Sequence, residues 1–146
     1  MVAVTPAMLT EALAGLSTAQ GDAIDAVAIG SPHLSVAEIG ELARLLAGRQ
    51  ATRPIYACTG RHALKEIEAR DGRAALERQG VVFVLDTCVV VTPILPENGS
   101  VLMTNSGKFA HYAPGNTGYA VQYGSLADCV ESAVAGRLRR IDPIWL

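Results

Sequence analysis

The feature that most constrains this chain is a pattern exchange that recurs along it. A short, nearly continuous apolar run gives way to a turn of small and polar residues, and then to a stretch with helical period. Ile24-Asp25-Ala26-Val27-Ala28-Ile29-Gly30 is the first such run and reads as a buried strand. It enters a loop, Ser31-Pro32-His33-Leu34. Ser35-Val36-Ala37-Glu38 then forms a capping box, in which the serine hydroxyl meets the Glu38 amide and the glutamate reaches back. Val36, Ile39, Leu42, Leu45 and Leu46 mark the inner stripe of that helix, and Gly48 is placed to close it. The unit repeats. Pro54 to Ala57 reads as a strand, Cys58-Thr59-Gly60-Arg61 as its turn, and His62 to Gln79 as a helix loosened at Asp71-Gly72. Val81 to Leu85 is the clearest strand of the chain. Strands joined through helices need crossover connections, so the expected fold is α/β: a single three-layer domain over residues 1–146, with a mostly parallel sheet and helices on both faces.

The flanking segments fit that frame. Thr5-Pro6 supplies a cap followed by proline at the first helical position, and Met8, Leu9, Ala12, Leu13 and Leu16 follow at helical spacing. After Asp86-Thr87-Cys88 the pattern changes: Val89 to Val91 can continue as extended chain, but Thr92-Pro93 and Pro96-Glu97-Asn98-Gly99 are turn chemistry. Val101 to Thr104 is a further strand, feeding Asn105-Ser106-Gly107-Lys108. A short helix over Lys108 to Tyr112 is expected to stop at Pro114-Gly115. Tyr119 to Tyr123 alternates like a strand, and Ser125 opens a last helix that ends at Gly136.

Composition excludes several classes. Half of the 146 residues are hydrophobic and only 18% are charged, which is enough apolar side chain for a core and too little charge to keep the chain open. Twelve basic residues against fourteen acidic ones leave no excess for a phosphate backbone, and 5% aromatic residues make a stacking platform for single strands unexpected. Nucleic acid is therefore not an expected partner. Three cysteines, Cys58, Cys88 and Cys129, with no C-x-x-C pair, argue against a disulfide framework. Met1 to Gln20 lacks a basic n-region, and no run approaches the roughly eighteen apolar residues of a spanning helix. The expectation is a cytoplasmic domain without membrane contact.

In an open parallel sheet, ligands bind beyond the carboxyl ends of the strands. Four loops of this chain would meet there: Gly30-Ser31-Pro32-His33, Cys58-Thr59-Gly60-Arg61, Asp86-Thr87-Cys88 and Asn105-Ser106-Gly107-Lys108. Each residue has a plainer reading. Ser31 and Thr59 can serve only as caps, Cys58 and Cys129 as small core residues, His33 as a structural imidazole, and Arg61 and Arg73 as solvated charges. Asn105-Ser106-Gly107-Lys108 says more. A serine and glycine opening a helix present free amides to an anion, and Lys108 adds a full positive charge. It lacks the first glycine and the spacing of a Walker A loop.

Taken together, Gly30-Ser31-Pro32-His33-Leu34-Ser35 with Glu38, Asp86-Thr87-Cys88, the stretch Asn105-Ser106-Gly107-Lys108-Phe109-Ala110-His111-Tyr112-Ala113-Pro114-Gly115, and Gly124-Ser125-Leu126-Ala127-Asp128-Cys129-Val130 resemble the aconitase X family, in the C-terminal part of its large catalytic subunit. The resemblance runs in order from about Ile24 to Gly136. It implies a hydro-lyase, a dehydratase that eliminates water from a small hydroxy acid such as cis-3-hydroxy-L-proline or mevalonate 5-phosphate. It also implies an iron or iron–sulfur centre, and as partners an N-terminal region and a small subunit. Carried over residue by residue, the resemblance makes Ser106 the base, with Lys108 and Arg61 to hold the carboxylate or to lower the effective pKa of that serine. Ser31, His33, Thr59 and Asn105 would orient substrate, and Cys88 would ligate iron. Many family members carry cysteine where Ser31 stands. The alternative reading is a non-catalytic domain that binds a small anion or a protein. An apolar edge around Ile144 and Trp145 is the expected route to a homo-oligomer.

Overall fold

The structure is a computed structural model that describes residues 3–143; Ile144 and Trp145 lie outside the described residues. Five strands form one parallel sheet: β1 (Ala26–Leu34), β2 (Ile55–Thr59), β3 (Val81–Leu85), β4 (Val101–Thr104) and β5 (Ala120–Tyr123), in the order β3-β2-β1-β4-β5. The chain steps outward from β1 to β3, then returns across the sheet to β4 and steps outward the other way. Right-handed crossovers in opposite directions place their helices on opposite faces. Accordingly α2 (Val36–Leu46), α3 (Arg61–Glu68) and α4 (Gly72–Arg78) pack on one face and α5 (Gly107–Thr117) on the other. The last helix, α6 (Leu126–Ala135), joins the first group, which completes the expected three layers.

The strand pleat sorts the core. Val27, Ile29, Ile55 and Ala57 face the α2 side with Ile39, Leu42, Leu46, Cys129 and Val130. Ala26, Ala28, Tyr56 and Cys58 face the other side, where Phe109, Ala110 and Ala113 of α5 pack. Two alanines on the central strand leave room for the fully buried Phe109 ring, so small residues on β1 and one large residue on α5 fill the same layer.

Several expectations are corrected. β1 does not end at Gly30 but resumes at Leu34, paired with Thr59, after an irregularity in which the Ser31–Pro32 peptide is cis. The helix predicted to stop at Pro114 continues to Thr117. Proline in that position forfeits only one backbone bond, and the buried Phe109, Ala110 and Ala113 hold the helix in place. It stops at Gly118, whose φ of 75° only glycine adopts freely. The long charged helix divides at Asp71-Gly72 into α3 and α4, as its composition suggested. Val89 to Val91 form turns, with Val89 and Val90 buried over the α5 face. The first helix, α1 (Pro6–Gly15), starts at the Thr5 cap as predicted, yet none of its residues is buried. Beyond it, Ser17 to Ala19 seal the outer edge of β5. The Thr18 and Ala19 amides donate to the Val121 carbonyl, and the Val121 and Tyr123 amides donate to the Thr18 and Ser17 hydroxyls. Among the described residues no helix is long and apolar enough to cross a membrane.

A buried acid anchors the tail. Asp128 on α6 caps its own helix by accepting the Ser125 amide, and its other oxygen accepts the amides of Ile141 and Asp142 at 2.7 and 3.0 Å. Nothing in the hydrophobic pattern marks it as buried.

Gly30 has a φ of 85°, and a Cβ there would stand 2.3 Å from the Cys58 carbonyl oxygen and 2.6 Å from Leu34 Cγ. Gly30→Ala should lower unfolding free energy by about 2–4 kcal/mol in urea titrations, combining left-handed strain with a backbone clash. A loss below about 0.5 kcal/mol would mean that the β1–β2 approach is not tight.

Candidate active site at the carboxyl ends of the strands

The sheet order reverses between β1 and β4, so their carboxyl ends flank the crevice where an open α/β sheet holds ligands. Ser31 and His33 come from the β1 side, and Asn105, Ser106 and Lys108 from the β4 side. Arg61 follows β2, and Asp86 and Cys88 follow β3. The fold thus brings all four predicted loops to one edge.

Ser106 is the N-cap of α5, its Oγ accepting the Phe109 amide at 3.2 Å. Its own amide donates to Oγ1 of the fully buried Thr104 at 3.1 Å, which fixes the turn leaving β4. First-turn amides of a helix have no intrahelical acceptor, so those of Gly107 and Lys108 join the positive end of α5 at the crevice. Lys108 is exposed and Asn105 half-buried. The corner combines first-turn backbone amides with one exposed ammonium.

Arg61 is held differently. Its Nε and NH2 lie 2.6 and 2.5 Å from Asp86 Oδ2, while its backbone amide donates to Asp86 Oδ1 at 3.3 Å. Asp86 has a φ of 55°, and its amide donates to the Thr59 carbonyl, so its carboxylate sits at the start of α3. The hydrogen bond from the Arg61 side chain is the main cause that holds the Asp86 carboxyl below its ordinary value, with smaller help from the Arg61 amide and charge and from His33. Asp86 had no role in the sequence reading. The signal that finds it is register: Thr59 pairs with Leu85, which places the residues just beyond each side by side.

Four further candidates differ in how they are held. Thr59 is fully buried and donates its hydroxyl to the Leu34 carbonyl at 2.7 Å, so it closes the β1 irregularity instead of facing a ligand. His33 is exposed, with its Nδ1 4.0 Å from the position of a Cβ on Gly60. Ser31 Oγ is buried and has no hydrogen-bond partner among the described residues. Cys88 is half-buried against the α5-side core, and its carbonyl accepts the Val91 and Thr92 amides. Cys58 and Cys129 are core residues, as the plainer reading had it. Burial raises both thiols, Cys58 to about 11.

An iron or iron–sulfur centre would need several thiolate or imidazole donors converging on one point. One half-buried thiol and an orphaned serine hydroxyl make a poor donor set. Among the described residues no three His, Cys, Asp or Glu side chains converge. The residues of this chain do not by themselves fit such a centre.

Comparison with known proteins decides the lineage. Residues 24–135 match the family description "Aconitase X third domain". The chain belongs to the aconitase X family. It is 39% identical over 142 residues to a cis-3-hydroxy-L-proline dehydratase of Pseudomonas aeruginosa, covering 94% of this chain and 24% of that one. It is 32% identical over 121 residues to a phosphomevalonate dehydratase large subunit of Methanosarcina mazei, covering 83% and 30%. The crystal structure of Thermococcus kodakaraensis aconitase X in its holo-form superposes with a TM-score of 0.79 at 28% identity, over 90% of this chain and 34% of that one. The chain therefore spans about a quarter to a third of the length of these aconitase X relatives.

The Asp86 ion pair sets a pH dependence. A carboxyl whose native pKa lies below its unfolded one contributes its stability above the unfolded value and loses it as pH falls through the native value. In acid titrations of the melting temperature, Asp86→Asn should therefore flatten part of the acid-side decline. An unchanged acid limb would remove Asp86 from the groups that link folding to protons.

Proposed function

We propose that this chain is the base-bearing, carboxylate-holding part of an aconitase X dehydratase that removes water from a small hydroxy acid. The observation that supports it most is Ser106 at the start of α5, on the β4 side of the switch point, followed by Gly107 and Lys108. In the resulting reaction a carbon next to the substrate carboxylate loses a proton, the neighbouring carbon loses hydroxide, and the electron pair of the broken C–H bond becomes the new C=C bond. The products are an unsaturated acid and water.

Ser106 Oγ takes the carbon-bound proton. An alkoxide there is stabilised by the Phe109 amide, the positive end of α5 and the Lys108 charge. The Gly107 and Lys108 amides and the Lys108 ammonium hold the substrate carboxylate and the enolate-like charge that grows on it. His33 and Asn105, from the β1 and β4 sides of the crevice, orient the substrate together with Ser31. The group that assists hydroxide departure comes from the portion of the enzyme outside this chain. That portion corresponds to the N-terminal region and small subunit implied by the resemblance, and the relatives' greater length supports it. The exposed Met8 and Leu9 of α1, at 44% and 57% exposure, offer those parts an apolar surface.

Complementation tests the proposal. The chain, combined anaerobically with the N-terminal and small-subunit parts of the Pseudomonas relative, should release an unsaturated acid from cis-3-hydroxy-L-proline or from phosphomevalonate. Ser106→Ala should lower kcat about 10²–10⁴-fold with the fold intact, and Lys108→Ala should act mainly on KM. A Ser106→Ala complex with normal turnover would end the assignment of the base.

A further inference from the structure

α5 starts at the crevice and ends about 16 Å away, next to the amino ends of β4 and β5. There its last turn and the 88–99 loop border a cavity of about 340 Å³, a volume within the range of small-molecule sites. Two hydrogen bonds fix its walls. Asn116 Nδ2 donates to the Val90 carbonyl at 3.0 Å, and the Tyr119 hydroxyl donates to the Pro96 carbonyl. A Cβ on Gly99 would overlap that hydroxyl, so a glycine lets the loop close on Tyr119.

The lining divides by chemistry. Val89 and Val90 are buried, Pro93 and Leu95 adjoin the same space, and Val91 is left 71% exposed at the rim. The charge on the polar side is negative. A helix leaves its last carbonyls without intrahelical donors, and the negative end of its dipole lies there. At α5 the Gly118 amide and the Thr117 hydroxyl return to the carbonyls of Pro114 and Ala113, one turn back. Asn116, Thr117 and Gly118, whose carbonyls come after these, line the cavity. Glu97 adds an exposed carboxylate. Among the described residues it makes no hydrogen bond or ion pair, and no lysine, arginine or histidine lines the cavity.

We infer that this cavity binds a small organic cation, a primary ammonium on a short apolar body. The ammonium donates to the α5 carbonyls and meets the Glu97 charge, while the body lies on the valines and Leu95. An amino-acid zwitterion would bring a carboxylate for which this lining has no cation. The site therefore differs in chemistry from the substrate seat proposed at Ser106 and does not depend on it.

The probe is n-butylammonium, with n-butanol and n-butyrate as its uncharged and anionic counterparts. Binding is followed by backbone amide shifts of the isotope-labelled chain at constant ionic strength. n-Butylammonium should move the Val91, Gly99, Thr117 and Gly118 amides saturably and leave Gly107 and Lys108 in place. n-Butanol should bind there about fivefold more weakly, and n-butyrate should give no saturable response. Glu97→Gln, a change at an exposed side chain, should weaken n-butylammonium about two- to fivefold and leave the n-butanol response unchanged. An equal response to the three probes, or no saturable response at Gly118, overturns the inference. So does a Glu97→Gln chain that binds n-butylammonium as tightly as the wild type.

Discussion

Everything in this structure depends on β1 being enclosed on every side. It lies between β2 and β4 and is covered by α2 and α6 on one face and by α5 on the other. Ala26 and Ala28 make the α5 side shallow enough for Phe109, and Val27 and Ile29 fill the opposite side. Such a strand tolerates little variation, so its end is where the chain can break regularity. It does so at Gly30, within van der Waals distance of the next strand, and the displaced Ser31-Pro32-His33 becomes one wall of the crevice. The rigidity of the core strand is thus what positions the candidate edge.

Opposite that wall, β4 and α5 supply the other half through local chemistry alone. Thr104, Ser106 and Phe109 form a short relay of hydrogen bonds that orients the serine hydroxyl and the first turn of the helix. The proposed base, Ser106, has a positive helix end and a cation within three residues of it. The β2 and β3 loops tie themselves together through Arg61 and Asp86, which makes that side of the edge internally neutral.

Much of this was legible before any coordinates. Apolar runs followed by capping boxes specify βαβ units because burial, capping and chain handedness all act locally. The four loops could be gathered to one edge because a parallel sheet has only one carboxyl end. The family was legible in the long motif that starts at Asn105, and the match over residues 24–135 bears it out. What stayed hidden depends on register and on tertiary balance. Asp86 meets Arg61 only once β2 and β3 are aligned, and Thr59 turns inward only because β1 resumes at Leu34. Pro114 reads as a stop signal, yet three buried neighbours on α5 outweigh one lost hydrogen bond. The inner stripe expected of α1 stays uncovered, because amphipathic spacing describes a face and says nothing of what packs on it.

The most direct measurement is solvent deuterium exchange into the carbon next to the substrate carboxylate. It is followed by proton NMR on the chain complemented with the N-terminal and small-subunit parts of its Pseudomonas relative. Exchange reports removal of the carbon-bound proton without requiring the hydroxyl to leave. If Ser106 is the base, the wild-type complex incorporates deuterium and the Ser106→Ala complex, folded and assembled, does not. Undiminished exchange in the Ser106→Ala complex would contradict the central claim and place the base elsewhere.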